Sequence, residues 1–194
     1  MTQLLDVWTV LPLAAAVTAL LLIAWRAREL MFRAALDGPA FARALQSRLA
    51  AGRAHSARML AYALRPAWAA ELAARALDAY EEPVQLRYAL EEAQAELELL
   101  AQRGLLAIRS LGRLLLPLAL AIAIVELGLG FEGGATPVDR SLSASAALTR
   151  GIFAVSVGMA ASLACQVGYG LLAHAAKQRL TEVRSASDAF AGLG

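Results

Sequence analysis

Residues 114–131, LLLPLALAIAIVELGLGF, and 151–173, GIFAVSVGMAASLACQVGYGLLA, decide the fold. The first runs without a charge from Leu114 to Val125, meets Glu126, and continues apolar to Phe131; the second contains no charged residue. At 1.5 Å per residue each can cross a hydrocarbon core of ~30 Å, the first when its helix starts slightly before Leu114. A third apolar segment, Leu4–Trp25, carries Asp6 and Pro12 and stops at Arg26 and Arg28. It has no basic region ahead of its apolar run and no small-residue cleavage site before the arginines, so it reads as a transmembrane helix rather than a signal peptide. Trp8 and Trp25 stand near its ends as interfacial anchors, and Asp6 is placed at the outer interface.

The chain has 194 residues, 59% of them hydrophobic, and its mean hydropathy of +0.56 places it among integral membrane proteins. The fold class expected is an all-α integral membrane protein. Residues 1–25, 114–131 and 151–173 are its three spans; 26–113 is a helical cytoplasmic region, 132–150 a periplasmic loop and 174–194 a cytoplasmic tail. The single cysteine, Cys165, lies inside an apolar run, so there is no disulfide framework. Aromatic content is low and is not interleaved with arginine, which argues against nucleic-acid binding.

Region 26–113 is rich in Ala, Leu, Arg and Glu and holds 13 of the 18 basic and 10 of the 16 acidic residues. Breaks fall at Asp37-Gly38-Pro39, Gly52, Arg65-Pro66 and Glu81-Glu82-Pro83, each proline placed to open a helix. Between them apolar residues recur at helical spacing: Phe41, Leu45 and Leu49, then Leu86, Leu90, Leu97 and Leu100. The last helix, from about Pro83, is expected to run through Gly104 into the second span. The loop 132–150, with Gly133-Gly134, Pro137 and a Ser/Ala run, reads as irregular, and the Ser/Ala/Gly tail after Arg184 as fraying. Basic residues set the topology: the loop 132–150 carries only Arg140 and Arg150, whereas the tail carries three and 26–113 carries 13. The positive-inside rule then gives N-out and C-in.

Two segments carry a family resemblance. Glu91–Pro117, EEAQAELELLAQRGLLAIRSLGRLLLP, is similar to a long charged helix feeding a span that opens on Ala-Pro. Ala147–Tyr169, ALTRGIFAVSVGMAASLACQVGY, is similar to a third span with a glycine and a tyrosine 11 residues apart, here Gly158 and Tyr169. With the three-span layout, the chain resembles the MotA/TolQ/ExbB proton-channel family, in its ExbB/TolQ branch. The resemblance implies a homo-oligomeric ring, a pentamer in that family, in the bacterial inner membrane. Its second and third spans would surround a single-span partner similar to ExbD or TolR, and proton flow would energise outer-membrane import or envelope integrity.

The channel-lining pattern departs from the family's. The family's two lining threonines fall on Ile124 and Val155, its glycines on Leu120, Ala123 and Leu127, a proline on Ala164 and a glutamate on Arg150. At 100° per residue, Arg113, Pro117, Leu120, Ile124, Gly128 and Phe131 share one face of the second span, and Val155, Ser162, Gln166 and Tyr169 one face of the third. The candidate lumen lining is therefore Pro117, Leu120, Ile124, Val155, Ser162, Gln166 and Tyr169. An Ile124/Val155 ring reads as a hydrophobic gate. Two alternatives stand beside the ring subunit: a non-conducting scaffold of the same architecture, and an unrelated three-span membrane protein.

Glu126 is the one carboxylate well inside a span, a position that is costly unless paired or functional. It points about 200° away from Ile124, which leaves three readings: a structural pair with Arg150, a proton-binding group, or interfacial exposure. Ala154, Gly158, Ala161 and Cys165 give the third span the small-residue spacing of close helix packing, and Gln166 bonds a neighbouring helix or lines the lumen. Arg103, Arg109 and Arg113 are placed to meet anionic membrane lipids. His55 and His174 are isolated, so no metal or cofactor is expected, and no motif of an enzyme is present.

Overall fold

The computed structural model describes residues 7–33, 36–132 and 136–191. Asp6, Gly133-Gly134 and the last three tail residues lie outside them. The described residues form an all-helical chain: α1 (Val7–Arg28), α2 (Gly38–Ala50), α3 (Ala54–Ala63), α4 (Trp68–Asp78), α5 (Pro83–Gln102), α6 (Leu105–Glu132) and α7 (Pro137–Ala191). A single π-helical turn, Glu29–Arg33, follows α1. Three helical stretches are long and apolar enough to cross a membrane, within 10–32, 83–132 and 137–190. The chain divides into two units, residues 1–25 with 106–170, and residues 26–105 with 171–194.

In the first unit, α1 is apolar on every side, as a helix surrounded by lipid and protein should be. Within residues 10–25 its buried positions are nevertheless confined to one stripe, Pro12 and Ala19, with Ala15, Ala16, Leu22 and Ile23 half-buried. The stripe's three- and four-residue steps are those of one helix face. Ile23 lies against Gly168 of α7, where a Cβ on the glycine would come within 3.0 Å of Ile23 Cδ1.

The second unit is built around α4. Ala67, Ala69, Ala70, Leu72, Ala73, Ala74, Ala76 and Leu77 are all buried, so this helix is enclosed nearly all round, between α3 and α5. Alanine is what permits such close neighbours. Helix starts follow the turn chemistry: the Asp37 carboxylate accepts from Ala40 N at 3.1 Å, Pro39 stands in the first turn of α2, and Pro83 opens α5. Gly52, with φ +69°, closes α2 in the left-handed region that favours glycine. Ion pairs then link the helices at the surface: Arg58–Asp78 at 3.2 Å, Arg65–Glu71 at 2.9 Å, and Arg75 with both Glu71 and Glu96.

Three expectations are corrected. The helix from Pro83 does not run through Gly104: it ends at Gln102, and Gly104 takes φ +80° before α6 begins. Arg103 N donates back to the carbonyls of Leu99 and Leu100, so the break is a closed helix end and not a kink. Residues 137–150 are not irregular either; α7 starts at Pro137. Thr136 caps it, its Oγ1 accepting from Asp139 N at 3.2 Å and donating to the Asp139 carboxylate at 2.6 Å, a side-chain cap within TPVD. The serines beyond it turn inward on the helix: Ser141, Ser145 and Thr149 each donate to a carbonyl three or four residues back. Finally, the tail is helical to Ala191, because Val183, Ala186, Ala189 and Phe190 bury an apolar face within the second unit.

Candidate site in the α6/α7 hairpin

Helices α6 and α7 run antiparallel and meet on small residues. Gly112 lies against Cys165, Gly158 against Ala119, Gly151 against Ala123, and Gly130 against Ala147. Seven residues forward on α6, from Gly112 to Ala119, correspond to seven back on α7, from Cys165 to Gly158. This is a regular packing seam. A Cβ on Gly112 would sit 2.8 Å from Cys165 Cβ, and one on Gly158 would overlap Ala119 Cβ and come within 3.1 Å of the Leu115 carbonyl. In lipid there is little hydrophobic drive between helices, so this close approach, with its dispersion contacts, is what holds them.

Of the packing residues read from the sequence, Ala154, Gly158, Ala161 and Cys165 are all buried, with Cys165 fully so. Ser162 belongs with them. Its hydroxyl is buried and donates to the main-chain carbonyl of Gly112 at 2.5 Å, so it faces α6 and not an open lumen. The expected lining set is thereby split. Pro117, Leu120 and Ile124 form an exposed apolar stripe on α6, Ile124 being 69% exposed. On α7, Gln166 is exposed and Tyr169 and Val155 are half-buried. Gln166 Nε2 stands 3.5 Å from Ser162 Oγ, within its own helix.

Glu126 is buried on the seam side of α6, and its Oε2 lies 3.7 Å from Arg150 Nη1. The two line a cavity of about 390 Å³ with Gly130, Ser143 and Ala147, and Ser143 Oγ donates to the Gly130 carbonyl at 2.8 Å. Toward the other end of the hairpin, Arg109, Arg113, Gln166 and Tyr169 line a second cavity of about 340 Å³. The Arg109 guanidinium lies over the Tyr169 ring, 5.5 Å from its centroid. Among the described residues no group of three or more His, Cys, Asp or Glu side chains could hold a metal ion.

One structurally decisive residue escapes sequence reading. Arg26, taken as a flanking charge of the first span, is 1% exposed. Its Nη2 donates to the carbonyls of Leu100 and of Ala101, the latter at 2.9 Å, and its Nη1 pairs with Glu29 at 2.5 Å. These carbonyls lie in the last turn of α5, at the negative end of the helix dipole, and that of Leu100 also accepts from Arg103 N at 3.2 Å. Nothing in the local sequence marks Arg26 apart from Arg28; the carbonyls it caps stand 74 and 75 positions away.

Neither protein-family models, nor curated proteins, nor solved structures give a match to this chain.

Proposed function

We propose that the chain is an ExbB/TolQ-like ring subunit of an energy-transducing complex in the bacterial inner membrane, oriented N-out and C-in. Copies of it assemble, as a pentamer by analogy with that family, around a single-span partner similar to ExbD or TolR. The observation that carries the reading is the exposed stripe of Pro117, Leu120 and Ile124, which lies off the α6/α7 seam and keeps the hairpin's outer face free for other helices.

A second reading, a scaffold that houses the partner without conducting protons, is favoured by two contacts. The Ser162 hydroxyl is committed to the Gly112 carbonyl, and the Glu126 carboxylate is buried beside Arg150, away from the Ile124 stripe. In either case any proton-carrying carboxylate in the lumen comes from the partner. The test is co-expression with a single-span, aspartate-bearing membrane protein, followed by native mass determination and proton-flux measurement in vesicles. An assembled complex that passes protons supports the ring subunit; an assembled complex without flux supports the scaffold. A chain that stays monomeric and captures no partner overturns both.

A further inference from the structure

The cavity formed by Arg109, Arg113, Gln166 and Tyr169 adjoins the Pro117 end of the exposed α6 stripe. Arg109 and Arg113 stand one turn apart on α6, so their guanidinium groups share a side of the helix. Among the described residues neither forms an ion pair, so both guanidinium groups keep N–H donors for a ligand. Arg109 is placed over the Tyr169 ring, which orients its plane and leaves N–H edges free to donate. From α7, Gln166 adds an amide and Tyr169 a phenol. Two unpaired guanidinium forks beside neutral donors make a site for a phosphoryl anion.

The surroundings decide the source of that anion. Arg113 is the last charge before the charge-free stretch of α6, which puts the cavity where that helix would leave the hydrocarbon. One turn inward from Arg113 is exposed Pro117, and one turn inward from Gln166 is Leu163, 55% exposed. A free phosphate has no use for these apolar neighbours; an acyl chain does. We propose that Arg109, Arg113, Gln166 and Tyr169 bind the phosphodiester headgroup of an anionic glycerophospholipid, its chains lying along Pro117 and Leu163.

The experiment is native mass spectrometry of the detergent-purified chain after addition of dioleoyl phosphatidylglycerol, dioleoyl phosphatidylcholine or inorganic phosphate. The wild-type protein is expected to retain phosphatidylglycerol about tenfold better than phosphatidylcholine, and Arg109→Gln/Arg113→Gln is expected to abolish that preference. Inorganic phosphate at the same concentration is expected neither to bind nor to displace the lipid. Equal retention of both lipids, undiminished preference in the double variant, or displacement by phosphate overturns the proposal. If the double variant does not fold, Arg109→Lys/Arg113→Lys keeps the charge but loses the planar forks. It is expected to lower retention severalfold, and wild-type retention by it counts against the site equally.

Discussion

Ser162 Oγ on α7 donates to the carbonyl oxygen of Gly112 on α6 at 2.5 Å, across a seam so close that neither residue has room for a larger neighbour. The bond depends on the glycine, since a Cβ on Gly112 would meet Cys165 Cβ at 2.8 Å and push the two helices apart. Ser162→Ala is expected to lower stability by about 0.5–1.5 kcal/mol, as for other hydrogen bonds between membrane helices. Gly158→Leu is expected to do more, since the added side chain meets Ala119 and the Leu115 carbonyl directly. Overpacking of that kind costs about 1–3 kcal/mol or separates the helices. Thermal unfolding in detergent, followed by circular dichroism, measures both, and an unaffected Gly158→Leu protein would contradict the seam.

Glu126 and Arg150 offer a second check. Glu126 is buried, so removing the neighbouring cation leaves a carboxylate in a poor solvent for charge. Arg150→Leu is expected to destabilise by about 2–4 kcal/mol, and Glu126→Gln, which removes the charge but keeps a polar group, by less. The double variant Glu126→Leu/Arg150→Leu is expected to recover part of the loss. A double-mutant cycle with no coupling energy would rule the pair out as a structural element.

Arg26 is the buried cap of α5. Arg26→Ala strips the carbonyls of Leu100 and Ala101 of a charged donor and leaves Glu29 without its partner. With charge-assisted bonds contributing about 1.5–3 kcal/mol each, a loss of about 3 kcal/mol is expected. Arg28→Ala, on an exposed neighbour, is expected to be nearly neutral. Limited proteolysis around 100–104 reports the same difference as early cleavage in the Arg26 variant alone.

The pH dependence of the second unit contains two opposed contributions. Burial raises the Glu182 carboxyl above its ordinary value of 4.5, against the attraction of Arg179. Its folded form binds a proton more tightly than the unfolded chain, so stability from this group is full below pH 4.5 and falls as pH rises through the raised value. Glu96 behaves oppositely. Its hydrogen bond from Arg75 lowers it, so its contribution is present above 4.5 and is lost as pH falls through the lowered value. Glu182→Gln is expected to flatten the loss of stability on raising the pH, and Glu96→Gln the loss in acid. Unfolding midpoints measured across pH 3–8 for the three proteins separate the two, and parallel curves would refute both assignments.

Much of the local structure was legible because its causes are local. Asp37-Gly38-Pro39 and Glu82-Pro83 hold cap and first-turn residues in adjacent positions, and the helices start there. The Thr136 cap within TPVD at 136–139 is equally local, yet the following serines read as loop, since isolated serines favour turns. Within a helix they satisfy themselves on carbonyls one turn back, which composition alone does not disclose. Gly104 failed in the other direction. An isolated glycine in a helical pattern is compatible with continuation or with a left-handed end, and only the backbone distinguishes them.

What the amino-acid sequence determined by itself is the all-helical class, the three stretches able to span a membrane and the small-residue stripe on α7, because hydrophobic length and helical period are properties of the chain alone. Which side of that stripe Ser162 takes, that Arg26 is a buried cap, and that Arg109 and Arg113 share a cavity with Gln166 and Tyr169 were settled only by tertiary structure. Each depends on the register and rotation of one helix against another tens of residues away. A change of one residue in that register turns a side chain by 100°, from a seam to an open face.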